Sequence, residues 1–188
     1  GHPEYPTNLP DYDEYKDLAT YSPIVSSLSP GGPKYNYFYE SKFLNHKLYT
    51  TGGYFLSGMP DLLHPGTIQV YHDNEWTIFE DELEKKTGYR YVDINCIDID
   101  PTDENHVFAG GRCGLYEFQN GKLLSYYNTD NSPLRGAYTG GQELGNDYVL
   151  VHSIKFDQEG NLWVLNSQAK GVNLLRLTKD KKWEKYYR

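Results

Sequence analysis

Three segments of this 188-residue chain share one plan, and that repetition limits the fold more than any other feature. In "WTIF", "LLSY" and "WEKY" a large apolar residue is followed three positions later by an aromatic one: Trp76 and Phe79, Leu123 and Tyr126, Trp183 and Tyr186. A turn-forming stretch precedes each, namely "HDNE", "QNGK" and "TKDKK". Before each turn comes a Gly and a short strand-like run: "GTIQVY", "GLYEF" and "GVNLLRL". Further upstream, "CIDIDPTDENHVFAGG" and "SIKFDQEGNLWVLNS" align as strand, Asp-led turn, strand. That alignment sets Asp100 on Asp157, Asn105 on Asn161 and Val107 on Trp163. "YESKFLNHKLYTTGG" is a weaker first copy, turning between Leu44 and Lys47. Each unit therefore reads as a meander of four antiparallel strands joined by tight turns.

Four-stranded units of about 40 to 50 residues, repeated in series, describe the blades of a β-propeller. The expected fold is all-β, a propeller segment of about three four-stranded antiparallel blades. Three blades leave the ring incomplete, because rings close with about four to eight. The blades are placed at about 34–80, 91–128 and 148–188, within a propeller segment over 33–188. Residues 1–32, rich in Pro and acids without a sustained period, read as an irregular lead-in. Loops carry the length variation: 54–65 is inserted in the first unit, while 80–91 (with a helical turn or two) and 129–147 join units. One meander cannot bury both of its faces. Further blades of a longer chain, or a second copy, are therefore expected to cover the outer ones. Trp163 is expected to fill the space between blades.

Composition narrows the function classes. A net charge of -8 argues against nucleic acid, whose phosphates require a basic footprint. No apolar run approaches the roughly 20 residues of a membrane-spanning helix, so direct membrane insertion is not expected. The start shows neither a basic region nor an apolar core of a signal peptide, so export implies a peptide already removed. Nineteen tyrosines suit strands, and also surfaces that contact sugars or proteins. Cys96 and Cys113 lack the spacing of a metal site, and their pairing in a disulfide is left open.

No catalytic, cofactor or metal site can be nominated. His46, His72 and His106 sit in or beside predicted turns, and none of the six histidines pairs at ligand spacing. "DIDPTDENH" carries Asp98, Asp100, Asp103 and Glu104, yet Asp103 and Ala109 stand where a calcium loop needs Gly and Glu. Ser132, Ser153 and Ser167 lack a nucleophile elbow. The Gly-rich stretches open no helix of a phosphate cradle. What remains is a recognition surface. The 54–65 excursion offers Tyr54, Phe55, Met59 and Leu62, and the 136–148 loop offers Tyr138, with Tyr148 beside it.

"SIKFDQEGNLWVLNSQAKGVNLLRLTKDKKWEKYY" resembles the two-component-regulator propeller repeat, with its Asp, turn Gly, Leu-Trp, Gly-Leu and closing aromatic. The second unit departs from that theme, with Val107-Phe108 in place of Trp163-Val164. Across residues 31 to 188 the run is more similar to the amino-terminal propeller of PorZ-type proteins of type IX secretion. That resemblance implies a non-enzymatic recognition or scaffold module, periplasmic or on the cell surface, that binds protein or glycan. Proteins of that type contact the sortase that attaches cargo to surface lipopolysaccharide. The alternative is the ligand-sensing periplasmic segment of a hybrid two-component kinase. A polysaccharide-active propeller enzyme ranks third, since no paired carboxylates or His-Tyr site can be named.

Overall fold

A computed structural model describes residues 31–55 and 63–187. Short loops with positive φ define its hairpins. Asn45–His46, Asp73–Asn74 and Asn120–Gly121 each place two consecutive residues in the left-handed region. Two-residue loops of that hand match the right-handed twist of the strands they join, and Asn, Asp and Gly tolerate it best. They close β1 (Ser41–Leu44) onto β2 (Lys47–Thr51), β3 (Ile68–His72) onto β4 (Glu75–Ile78), and β7 (Gly114–Gln119) onto β8 (Lys122–Tyr127).

Among the described residues, three four-stranded antiparallel sheets result, each in chain order. The first is β1–β4. The second is β5 (Ile94–Asp100), β6 (Asp103–Gly111), β7 and β8. The third is β11 (Val151–Phe156), β12 (Leu162–Asn166), β13 (Leu174–Leu177) and β14 (Trp183–Tyr186). A short helix, α1 (Leu83–Thr87), connects the first two and ends on Gly88 at φ 77. A small hairpin, β9 (Tyr138–Thr139) and β10 (Gln142–Glu143), lies in the link to the third. The architecture is that of an incomplete propeller. Of the lead-in expected over 1–32, residues 1–30 lie outside the described residues.

The core is two seams between sheets. Tyr49 and Val70 of the first sheet meet Ile97, Ile99, Val107, Ala109 and Phe118 of the second. On the second sheet's other face, Cys96, Phe108 and Leu115 meet Ile154, Leu162, Val164 and Leu175 of the third. The middle sheet is thus covered on both sides, and β5 and β7 are buried almost throughout. In the outer sheets, β1 and β12 alternate between more and less exposed positions, as strands covered on one face do. Backbone carries part of each seam. Gly53 donates to the Ile94 carbonyl at 2.9 Å, and a Cβ at Gly53 would lie 2.4 Å from the Asp93 Cα. The Glu40 carboxylate accepts from Ile97 N at 3.1 Å and Asp98 from Phe156 N at 2.7 Å, so donors on first strands find partners in the preceding sheet. Both cysteines are buried free thiols, and burial pushes Cys113 up to about 12 and Cys96 well above its ordinary value.

Trp163 departs from expectation. Cross-strand rows pair Tyr49 with Val70, Phe108 with Glu117, and Trp163 with Arg176. Leu162 and Val164 face the second sheet, so Trp163 points away, on the side where Phe108 stands in the middle sheet. The counterpart of Trp163 is therefore Phe108 and not Val107. A register irregularity between Ile99 and Asp100 offsets the hairpin, and a slip of one residue moves every side chain to the other face. Trp163 is half-buried. Its Nε1 donates to Asp157 Oδ2 at 3.0 Å, its ring lies 4.8 Å from Tyr186, and the Arg176 guanidinium sits 5.3 Å from it. Trp163→Ala is accordingly expected to destabilise the chain by only about 1–2 kcal/mol in urea unfolding. A loss of about 3–5 kcal/mol, the range for a fully buried Trp, would contradict this placement.

Candidate recognition surface

The two loops singled out in the sequence meet at their bases. Phe55 is 7% exposed and packs with Ala137 and Leu150, flanked by Leu144 and Tyr148. Its ring stands edge-on to His152, with centroids 5.3 Å apart. Phe55 is therefore an anchor that ties the first loop to the second. Tyr54 is half-buried and stacks on the exposed Tyr39, with centroids 5.4 Å and planes 18° apart. Tyr138, half-buried at the start of β9, donates its hydroxyl to the Gly141 carbonyl at 2.9 Å. The Lys170 ammonium lies 4.6 Å from the centre of that ring. Met59 and Leu62 lie outside the described residues.

Beneath these loops sits a buried ion pair that sequence reasoning missed. Asp93 is fully buried, with φ 50, and Arg112 is 2% exposed. Arg112 Nε donates to Asp93 Oδ2 at 3.0 Å, and its guanidinium lies 5.3 Å from the Tyr148 ring centre. Asp93 also accepts from Leu63 N at 3.2 Å and His64 N at 2.9 Å. One carboxylate thereby fixes the return of the first loop, while its partner supports the second. The available signal was a charge in each of two otherwise apolar or Gly-rich runs, "YVDINC" and "AGGRCG", since buried charges are nearly always paired.

His106, expected in or beside a turn, belongs to β6 and lies part-buried between two carboxylates. Nδ1 is 2.9 Å from Asp100 Oδ2 and Nε2 is 2.7 Å from Glu117 Oε1. Glu117 is fully buried; it also accepts from the Tyr127 hydroxyl at 2.9 Å and pairs with Lys181 from the third sheet. Burial alone would raise the Glu117 carboxyl, but His106, Lys181 and Tyr127 hold it down to about 2. The carboxylates of the 98–104 run diverge. Asp98 turns to Lys155, Asp100 to Thr102 and His106, Asp103 to Gln119, and Glu104 to Lys47 and Asn45. Among the described residues, no group of three or more metal-ligating side chains converges.

No protein-family model matches the chain, and no curated protein does. Among solved structures, a luciferin-regenerating enzyme covers 78% of this chain and 45% of its own length, at 14% identity and a TM-score of 0.43. That likeness is too low to carry a functional reading. A second structure is much closer: PorZ, described as an essential bacterial surface component of the type-IX secretion system of the human oral-microbiomic Porphyromonas gingivalis. The match has a TM-score of 0.72 and 27% identity over 86% of this chain. The chain thus resembles PorZ in sequence and in its incomplete propeller, and spans 21% of PorZ's length.

Proposed function

We propose that this chain is a non-catalytic recognition and scaffold segment of a PorZ-like envelope component, exported and exposed at the periplasm or cell surface. The similarity to PorZ over 86% of the chain is the observation that carries this reading. The loop architecture supports it. Recognition loops work best when tied to a rigid base, and here Phe55, Asp93 and Arg112 provide one. Tyr54 and Tyr138 are the side chains that present polar-tipped aromatic surface beside that base. Phe43, 72% exposed on the first sheet, and Leu165, 46% exposed on the third, mark outer faces for further blades of a longer chain to cover.

The test is capture from a solubilised envelope fraction of a bacterium with type IX secretion, using the whole chain as bait. A secretion component is expected to bind, and Tyr54→Ala with Tyr138→Ala should weaken capture by roughly tenfold. The thermal midpoint should stay nearly constant. Unchanged capture by the double variant would remove these residues from the surface. Robust turnover of a polysaccharide by the purified chain would overturn the non-catalytic reading itself.

A further inference from the structure

We infer that His106 is a pH-operated latch on the tip of the β5–β6 hairpin, and that this tip forms one wall of a groove between the first and second sheets. Hydrogen-bond polarity sets the charge state of the ring. Both ring nitrogens of His106 face carboxylate oxygens, at 2.9 and 2.7 Å. A carboxylate only accepts, so both nitrogens must donate, and only the imidazolium does that. A neutral ring would turn one lone pair onto Asp100 or Glu117.

The surroundings make that state consequential. From β5 comes Asp100, which also accepts from Thr102 N at 2.8 Å and so shapes the turn. From β7 comes Glu117, with Tyr127 of β8 bonded to it. The β13–β14 turn contributes Lys181, which pairs with Glu117, and Lys179. From β11 Phe156 approaches, its centroid 6.4 Å from the imidazole. Within β6, Asp103 is turned to Gln119. Two buried or part-buried carboxylates therefore face His106 and Lys181, and losing the imidazolium proton leaves that balance negative.

The tip held by this cluster also serves the opposite seam. Glu104 receives Asn45 Nδ2 at 2.7 Å and Lys47 Nζ at 2.9 Å, and its carbonyl accepts from the Tyr49 hydroxyl at 3.3 Å. Glu104 and Asn105 line a groove of about 530 Å³ between the first and second sheets, with Tyr49 and Val70 among its other walls. The matching space beside His106 measures only about 70 Å³. Lys181 enters that seam from a longer turn, whereas the second sheet offers Asn120–Gly121 at the equivalent place. One seam is sealed and the other open, and His106 sits on the hairpin that separates them.

The sign follows from the contacts. The Glu117 hydrogen bond raises the His106 pKa above its ordinary value; burial and the Lys181 charge oppose this, and Asp100 adds to the rise. Stability from the latch is complete below the unfolded histidine value and is lost as pH rises through the raised one. Glu117, held down to about 2, keeps its charge through the mildly acidic range, and Tyr127, pushed up to about 12, keeps its proton through pH 9. Between pH 5 and 9, His106 then changes charge while Glu117 and Tyr127 do not.

The experiment is a titration of the whole chain carrying ¹³C-labelled histidine, with amide exchange measured alongside. His106 should titrate above the ordinary histidine value. Across the same midpoint, protection of the Asn105 and Asn120 amides should fall by roughly tenfold, as expected when a buried charge cluster loses its balance. The Asn161 amide, bonded within its own turn in the third sheet, serves as the control and should not change. In His106→Gln the pH dependence should vanish, with protection low throughout. If that variant does not fold, the wild-type titration still decides. A His106 midpoint at or below the ordinary value, or protection that ignores it, overturns the latch.

Discussion

Asp93→Ala is expected to lower the unfolding free energy by about 3–5 kcal/mol, the range for breaking a buried ion pair by removing one partner. The carboxylate is fully buried and accepts three donors, from Arg112, Leu63 and His64. Truncation removes all three bonds at once, including both that hold the returning backbone at Leu63 and His64. The φ of 50 adds strain for Ala, because that region favours Gly, Asn and Asp. The second arm separates charge from packing. Arg112→Met alone should also be costly, since it leaves the carboxylate charge behind. Combining Asp93→Ala with Arg112→Met should recover part of the loss, because an apolar replacement of a whole pair is often tolerated. Urea midpoints of the four proteins form the cycle. A loss below about 1 kcal/mol for Asp93→Ala would show that the pair is solvated and holds neither loop.

Phe108→Ala should be comparably severe, at about 3–5 kcal/mol. Phe108 is 1% exposed and stands edge-on to both Phe156 and His106, at 5.7 and 5.1 Å between centroids. The Lys181 ammonium lies 5.1 Å from its ring centre. Removing the ring opens a cavity in the sealed seam and takes one face from the ionic cluster. Phe108 and Trp163 hold equivalent places in their sheets, so their difference in effect measures how much a covering sheet contributes. Equal losses in calorimetric unfolding would mean that the seam relaxes fully around the truncated side chain, or that Trp163 is covered in solution.

The meanders were legible because turn chemistry and apolar runs are local. "FLNHKL", "YHDNEW" and "FQNGKL" each announce a two-residue turn with positive φ, and each forms one. The insertion after β2 and the short helix before β5 were legible for the same reason. Facing was harder. The alignment of Val107 with Trp163 failed by one residue because the β5–β6 hairpin carries an irregularity that side-chain type does not reveal. Phe55 looked like an exposed aromatic, yet its partners Ala137 and Leu150 lie some eighty and more positions away. Asp93 and Arg112 were invisible to motif reasoning, being nineteen positions apart and belonging to no spacing rule. His106 looked like one more turn histidine because Glu117, its strongest partner, sits on the next strand of the sheet.

The ion pairs between sheets bear on how a chain of look-alike repeats finds its order. Lys47 of the first sheet meets Glu104 of the second, and Asp98 and Glu117 of the second meet Lys155 and Lys181 of the third. If the third sheet instead docked on the first, Lys181 would arrive at Val70, the row position that Glu117 holds in the second sheet, and Lys155 would face Lys42. Such out-of-order stacking would then lose the Asp98–Lys155 and Glu117–Lys181 pairings and gain a repulsion. Such swaps are the characteristic misfolding route of repeat proteins. The charges at the seams act as addresses, specifying which sheet follows which.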